Sequence, residues 1–272
     1  LEGLLVGILA GLVIVGYRIC LTNGALWLQR ILAYCKQSIF TIIIWFVILF
    51  VIALVVTKLL DWESLISGSG IPQLEGELAG KIDAKWWRVL IAKFFGGFLA
   101  NFSGLALGRE GPSIQLGAMV GKGIGKVLKR GKTEERYLLT CGASAGLAAA
   151  FHAPLAGVMF ALEEVHKHFS APLLISVMTS SIAADYLMSS ILGMAPVFSF
   201  NIHGTLPTQY YWMVIILGII LGLLGAFYNK ALLFVQSLYN HSKHLNNYTK
   251  LLIPFILAGI LGFTVPQLLG SG

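Results

Sequence analysis

Gly108-Arg109-Glu110-Gly111-Pro112-Ser113 follows directly on Ser103-Gly104-Leu105-Ala106-Leu107, the end of an apolar stretch over residues 89–107. A proline in the first turn of a helix gives up no hydrogen bond, so Pro112 reads as a helix start. Glycines on both sides of Arg109-Glu110 let the backbone turn tightly and bare its amides. Glu110 thus occupies the electropositive tip of a helix that begins at membrane depth, where a carboxylate is expensive and marks function. Such tips attract anions, and a tethered carboxylate is itself one. Protonating Glu110 would release it and let a free anion in, so one side chain would be both gate and proton carrier. The competing reading is a structural Arg109–Glu110 pair, for which neighbours on one turn are poorly placed.

The rest of the chain supports membrane depth. Its 272 residues are 57% hydrophobic and 11% charged, with a mean hydropathy of +0.83. Soluble domains carry about 25% charged residues. Too few charges remain to cover a soluble globule, which excludes a soluble enzyme, a disordered chain and a nucleic-acid-binding module. The net charge of +7 then reads as basic cytoplasmic loops rather than a nucleic-acid partner. Cys20, Cys35 and Cys141 form neither a disulfide framework nor a metal spacing and read as apolar fillers. No signal peptide is visible. The chain opens inside one apolar run and stops after another, so it is expected to be part of a longer membrane chain.

Residues 4–21 and 38–60 read as full spans, each with one charge, Arg18 and Lys58. About 20 apolar residues cross a ~30 Å hydrocarbon core. The stretches 89–107, 112–128, 137–163 and 172–192 are interrupted by Gly, Pro or charge, and two longer runs come after them at 211–235 and 251–269. Irregular backbone survives at this depth only where protein or a water path covers it, and broken segments are the mark of a transporter core. The basic run Lys122, Lys126, Lys129, Arg130, Lys132 and Arg136 is expected on the cytoplasmic side. Gly7-xxx-Gly11, Gly117-xxx-Gly121, Gly142-xxx-Gly146 and Gly218-xxx-Gly222 permit close helix packing.

Two further motifs carry chemistry. Ser67-Gly68-Ser69-Gly70-Ile71-Pro72-Gln73 repeats the layout of glycines before a proline-started helix, with Ser69 as a hydroxyl donor. It is a second anion-binding helix start, or else an ordinary loop-to-helix turn. Ala153-Pro154-Leu155-Ala156-Gly157 leads through an apolar helix to Glu163-Glu164. Adjacent carboxylates raise each other's proton affinity, which suits proton exchange near neutral pH. The plainer reading is a helix emerging into water.

With these motifs in order, the chain resembles the CLC chloride channels and chloride/proton exchangers. Gly68-Ser69-Gly70-Ile71-Pro72, Gly108-Arg109-Glu110-Gly111-Pro112 and the segment leading to Glu163-Glu164 carry the match, with Lys93-Phe94-Phe95-Gly96-Gly97 between the first two. The resemblance implies an all-α polytopic membrane protein of the CLC inverted-repeat fold, with residues 1–272 forming a partial transmembrane domain, the first repeat and the start of the second. It implies anion binding by Ser69, Gly70, Ile71, Arg109, Glu110 and Gly111. Glu110 would be the external gate and Glu164 the internal proton acceptor, with Glu163 supporting the proton's path. Lys93 would add positive potential near the pore. Ser69, where nitrate-preferring relatives carry proline, points to chloride, and the acid at Glu164 favours coupled Cl-/H+ antiport over a passive gated channel of the same fold.

The family completes its anion site with a Gly-x-Phe-x-Pro helix start and a tyrosine hydroxyl, and neither comes after residues 251–269. Half of the coordination is therefore expected outside these residues, and regulatory domains of the cystathionine-synthase type are absent from them. No cofactor or metal is expected beyond chloride as bound substrate. The expected partners are chloride, protons, the lipid bilayer and a second copy in a homodimer with one pore per subunit. The expected location is a plasma or bacterial inner membrane. A metalloenzyme built on Glu163, Glu164, His166 and His168 is the rival class, but those histidines read as a wetted helix end. His152 reads as structural.

Overall fold

All regular elements of the described residues are helical in this computed structural model of the chain; those residues are 1–194, 204, 207–241 and 246–270, with 240 and 241 described by backbone alone. Contacts divide the chain into two units, Leu1–Val197 with Leu252–Gly272, and Phe198–Leu251.

Helix α1 (Glu2–Cys35) contains the expected span 4–21 and runs on, because no proline interrupts residues 22–35. At about 1.5 Å per residue it is about 50 Å long, more than a bilayer core, so it must tilt or emerge. Arg18 lies within it, as in the expected span. The guanidinium Nη1 lies 2.9 Å from Nε2 of His152, which must accept, since a guanidinium only donates. Helix α2 (Ile39–Trp62) starts at Ser38, whose Oγ accepts the Phe40 N–H at 3.3 Å. It buries a stripe of Trp45, Leu49, Ile52, Ala53 and Val56 and leaves Ile43, Val47, Phe50 and Val51 exposed, as a lipid-facing helix would.

The middle of the chain is broken as expected. Helices α3 (Ile71–Leu78), α4 (Trp86–Phe102), α5 (Glu110–Val127), α6 (Lys132–Phe151) and α7 (Pro154–Phe160) precede α8 (Ala171–Leu192). At about 1.5 Å per residue, α3 and α7 are only about 12 and 10 Å long and cannot cross a bilayer. Among the described residues, five helical stretches are long and apolar enough to do so: α1, α2, α8, Thr208–Tyr239 and Asn247–Thr264. The fourth contains most of α9 (Tyr211–His241), the main element of the second unit; the last is α10. The stretch 137–163 is not one element. It breaks where α6 ends at His152, in the left-handed region at φ 54°, and restarts at Pro154.

Helices α5 and α6 form the core of the first unit, buried over almost their whole apolar length. They cross through two of the glycine motifs. A Cβ at Gly117 would strike the Gly142 carbonyl, one at Gly142 the Gly117 carbonyl, and one at Gly146 the Ser113 carbonyl. Helix α8 lies along α1, where a Cβ at Gly3 would stand 2.7 Å from the Ser176 carbonyl. The motifs at Gly7, Gly117 and Gly142 thus serve contacts within the chain, while among the described residues nothing stands within 4 Å of a Cβ at Gly218 or Gly222.

One basic residue departs from its expected place. Lys122 is no loop charge but fully buried. Its ammonium donates to Glu77 Oε1, to Asp83 Oδ1 at 2.6 Å and to the Ala84 carbonyl at 2.7 Å. That hydrogen bond and the lysine's charge hold the Asp83 carboxyl below the usual carboxylate range. The tie fastens the end of α3 and the connection to α4 onto α5. Lys126 pairs with Glu135 at 3.1 Å, and Arg130 with Glu2.

This packing makes two substitutions informative. Gly142→Val forces α5 and α6 apart and should cost about 1–3 kcal/mol as overpacking, read as a lower melting temperature in detergent, while Gly218→Ala should not. Lys122→Met strands Glu77 and should cost about 3–5 kcal/mol, part of it recovered by adding Glu77→Leu.

Candidate anion and proton site

A 3₁₀ turn, Ser64–Ile66, leads into Ser67-Gly68-Ser69-Gly70 and the start of α3. Gly68 and Gly70 have φ of 69° and 93°, which only glycine adopts cheaply. Ser69 is exposed at the tip. The Ile71 N–H donates to Ser69 Oγ at 3.3 Å, so one amide expected to face an anion is shared with the protein's own hydroxyl.

The second helix start meets the first. A Cβ at Gly111 would stand 2.6 Å from the Ser69 carbonyl and 2.9 Å from the Ser69 Cβ. The two motifs therefore touch backbone to side chain, with Gly111 as the residue that permits it. The first N–H groups of α5 have no partner within the helix. Glu110 opens α5, partly exposed, and its carboxylate folds back over Gly108, 2.7 Å from where a Cβ would stand there. Arg109 Nε is 3.9 Å from Glu110 Oε1, at the outer limit of an ion pair. The carboxylate is thus not locked by its neighbour. Ser113 Oγ donates to the Arg109 carbonyl at 2.8 Å and closes the turn.

Behind the first loop stand two polar residues. Lys93 on α4 is buried, and its ammonium donates to the carbonyls of Ile66 at 2.8 Å and Gly68 at 2.7 Å. Its charge lies under the Ser69 loop and is engaged in holding it. Gln115 on α5 is also buried; its Nε2 donates to the Leu65 carbonyl at 2.8 Å, and its side chain fills the space a Cβ at Gly70 would need. Sequence reading missed Gln115, Lys122 and the Glu77–Asp83 pair. The available signal was cost: a polar side chain inside an apolar helix is expensive.

Glu163 and Glu164 sit apart from this contact. They occupy a π-helical turn, Ala161–His166, that continues α7 and packs on α3 and α6; both are exposed. Single π turns cluster at functional sites because the extra residue re-aims side chains. Here the turn is held by His166 Nδ1, 2.9 Å from Thr140 Oγ1, and closed by Lys167 at φ 58°, which pairs with Glu75 of α3 at 3.2 Å. Burial, with His168 and Arg136 nearby, keeps His166 below the usual histidine range. A cavity of about 810 Å³ opens beside the turn, between Glu75, Arg136, Tyr137, His166 and His168. His152 is structural as expected, between Arg18 and Asp185, its Nδ1 3.4 Å from Asp185 Oδ1.

Comparison with known proteins agrees with this architecture. The family model described as voltage gated chloride channel matches residues 52–272. The H(+)/Cl(-) exchange transporters ClcA of Vibrio parahaemolyticus serotype O3:K6 (strain RIMD 2210633) and Vibrio campbellii (strain ATCC BAA-1116) are each 38% identical over 213 residues, 76% of this chain and 45% of theirs. The chain thus spans a little under half the length of these curated relatives. A slow cyanobacterial Cl-/H+ antiporter superposes with a TM-score of 0.86 at 31% identity, over 97% of this chain and 62% of that one. A CLC-type fluoride/proton antiporter superposes at 0.76 with 21% identity, over 98% and 65%, a likeness of fold alone. The chain is an integral membrane protein that belongs to the voltage gated chloride channel family and has the all-helical CLC fold.

Proposed function

We propose that this chain forms the first part of a chloride/proton antiporter. The observation that carries the reading is the contact of Gly111 with Ser69, which joins the α3 start to the α5 start that Glu110 opens. Amide dipoles at such starts favour negative charge, and the low dielectric strengthens them. Chloride would bind to Ser69, Gly70 and Ile71 of the α3 start and to Arg109, Glu110 and Gly111 of the α5 start. Glu110 and chloride then compete for one electropositive place. A deprotonated Glu110 fills it, and a protonated one leaves it.

Antiport needs a second titratable group on the opposite side. Glu164, assisted by Glu163, takes that role from the π turn, which rests on the same α3 that the Ser69 loop leads into. The cavity beside the turn offers protons a polar approach. By the positive-inside rule, the basic α5–α6 connection places this end in the cytoplasm, and Glu110 faces outside. The transporter is a homodimer with a pore in each subunit. The curated relatives, named as exchangers, favour this reading over a passive channel.

Flux assays on the full-length protein in liposomes, with chloride and protons counted together, test the scheme. Glu164→Gln should reduce proton movement at least about tenfold and leave chloride movement intact. Uncoupled chloride flux in the unmutated protein would make it a channel. Glu110→Gln should give chloride flux that no longer depends on pH, and a variant still steeply pH-dependent would remove Glu110 from the gate.

A further inference from the structure

Lys93 is buried, yet no carboxylate pairs with it among the described residues; its partners there are two carbonyls of one loop. A buried ammonium needs strong reasons to be where it is. Its place in the loop supplies one. The Gly68 carbonyl belongs to the Gly68–Ser69 peptide, and no cis peptide bond is present among the described residues. In a planar trans peptide the carbonyl and the following N–H point in opposite directions. Drawing the Gly68 oxygen onto Lys93 therefore aims the Ser69 N–H the other way. That N–H has no partner among the described residues.

The lock is needed because glycine makes this peptide easy to turn over. Gly68 has positive φ with nothing within 4 Å of a Cβ among the described residues, and Gly70 also has positive φ. A reversed Gly68–Ser69 peptide would present a carbonyl where an amide had been, repelling an anion and inviting a cation. Gln115 braces the same loop one turn earlier, through the Leu65 carbonyl, and its side chain is wedged against Gly70.

We propose that Lys93 is a positioning residue that locks the Gly68–Ser69 peptide with its amide toward the transported anion, with Gln115 as the brace of that loop. This goes beyond a general positive potential, and it rests on the antiport reading of the Ser69–Gly111 contact. A potential acts through charge alone. A lock also fails when the peptide is freed without any change of charge.

The test is chloride binding by isothermal titration to the detergent-purified full-length protein, with the melting temperature read alongside. Gly68→Ala keeps every charge and meets no clash, but an L side chain disfavours the required φ. Gln115→Leu also keeps every charge and removes the brace. Each should weaken chloride binding about tenfold in protein that still melts cooperatively, and Lys93→Met should weaken it at least as much. Lys93→Met combined with Gly68→Ala should be little worse than Lys93→Met alone, because both act on one peptide. If Lys93→Met does not fold, the two neutral variants carry the test. Chloride affinity within about twofold of the unmutated protein in both Gly68→Ala and Gln115→Leu overturns the lock and leaves the antiport reading standing. No chloride binding in the unmutated protein overturns both.

Discussion

A helix that starts inside a bilayer leaves N–H groups that hydrocarbon cannot satisfy. The starts of α3 and α5, expected at membrane depth from the sequence, are set against each other here. Gly111 lets the α5 start come within touching distance of Ser69 at the α3 start. What would be two separate liabilities becomes one electropositive place. In the proposed scheme a mobile anion fills it, and the carboxylate of Glu110 competes for the same place. The rest of the first unit keeps that contact in register. The glycine crossing of α5 and α6 fixes the axis of α5, Lys122 fastens the far end of α3 to α5, and Lys93 with Gln115 holds the loop that leads into α3.

The same α3 joins the two chemical centres. Ser69 stands at its start, and Glu75 within it pairs with Lys167, which closes the π turn carrying Glu163 and Glu164. In the proposed scheme, α3 is the element that links the turn carrying Glu164 to the Ser69 loop.

Much of this was legible in the sequence, for local reasons. Glycine and proline punctuate the α3 and α5 starts, and their placement follows from backbone sterics. The long spans follow from hydropathy and length. The features that escaped depend on distant partners. The first span reads as residues 4–21, but α1 runs on to Cys35, and the partner of Arg18 within it, His152, lies 134 residues away. Lys122 looked like a topology signal because Glu77 and Asp83 come together with it only in the fold. The interruption of residues 137–163 is legible in the sequence, but its left-handed residue, His152, has no glycine to announce it. The π turn has no sequence signature; its two acids were visible, their geometry was not. The glycine motifs were visible as well, but which faced which required the structure.

Bromide is a close mimic of chloride and scatters anomalously. Crystals of the full-length protein grown in bromide would therefore test directly whether the two helix starts share one anion. The predicted result is an anomalous peak in contact with the Ser69 loop and the backbone at Gly111, strengthened when Glu110 is replaced by glutamine. A bromide site elsewhere in the membrane region, with none at that contact, would contradict a shared anion site.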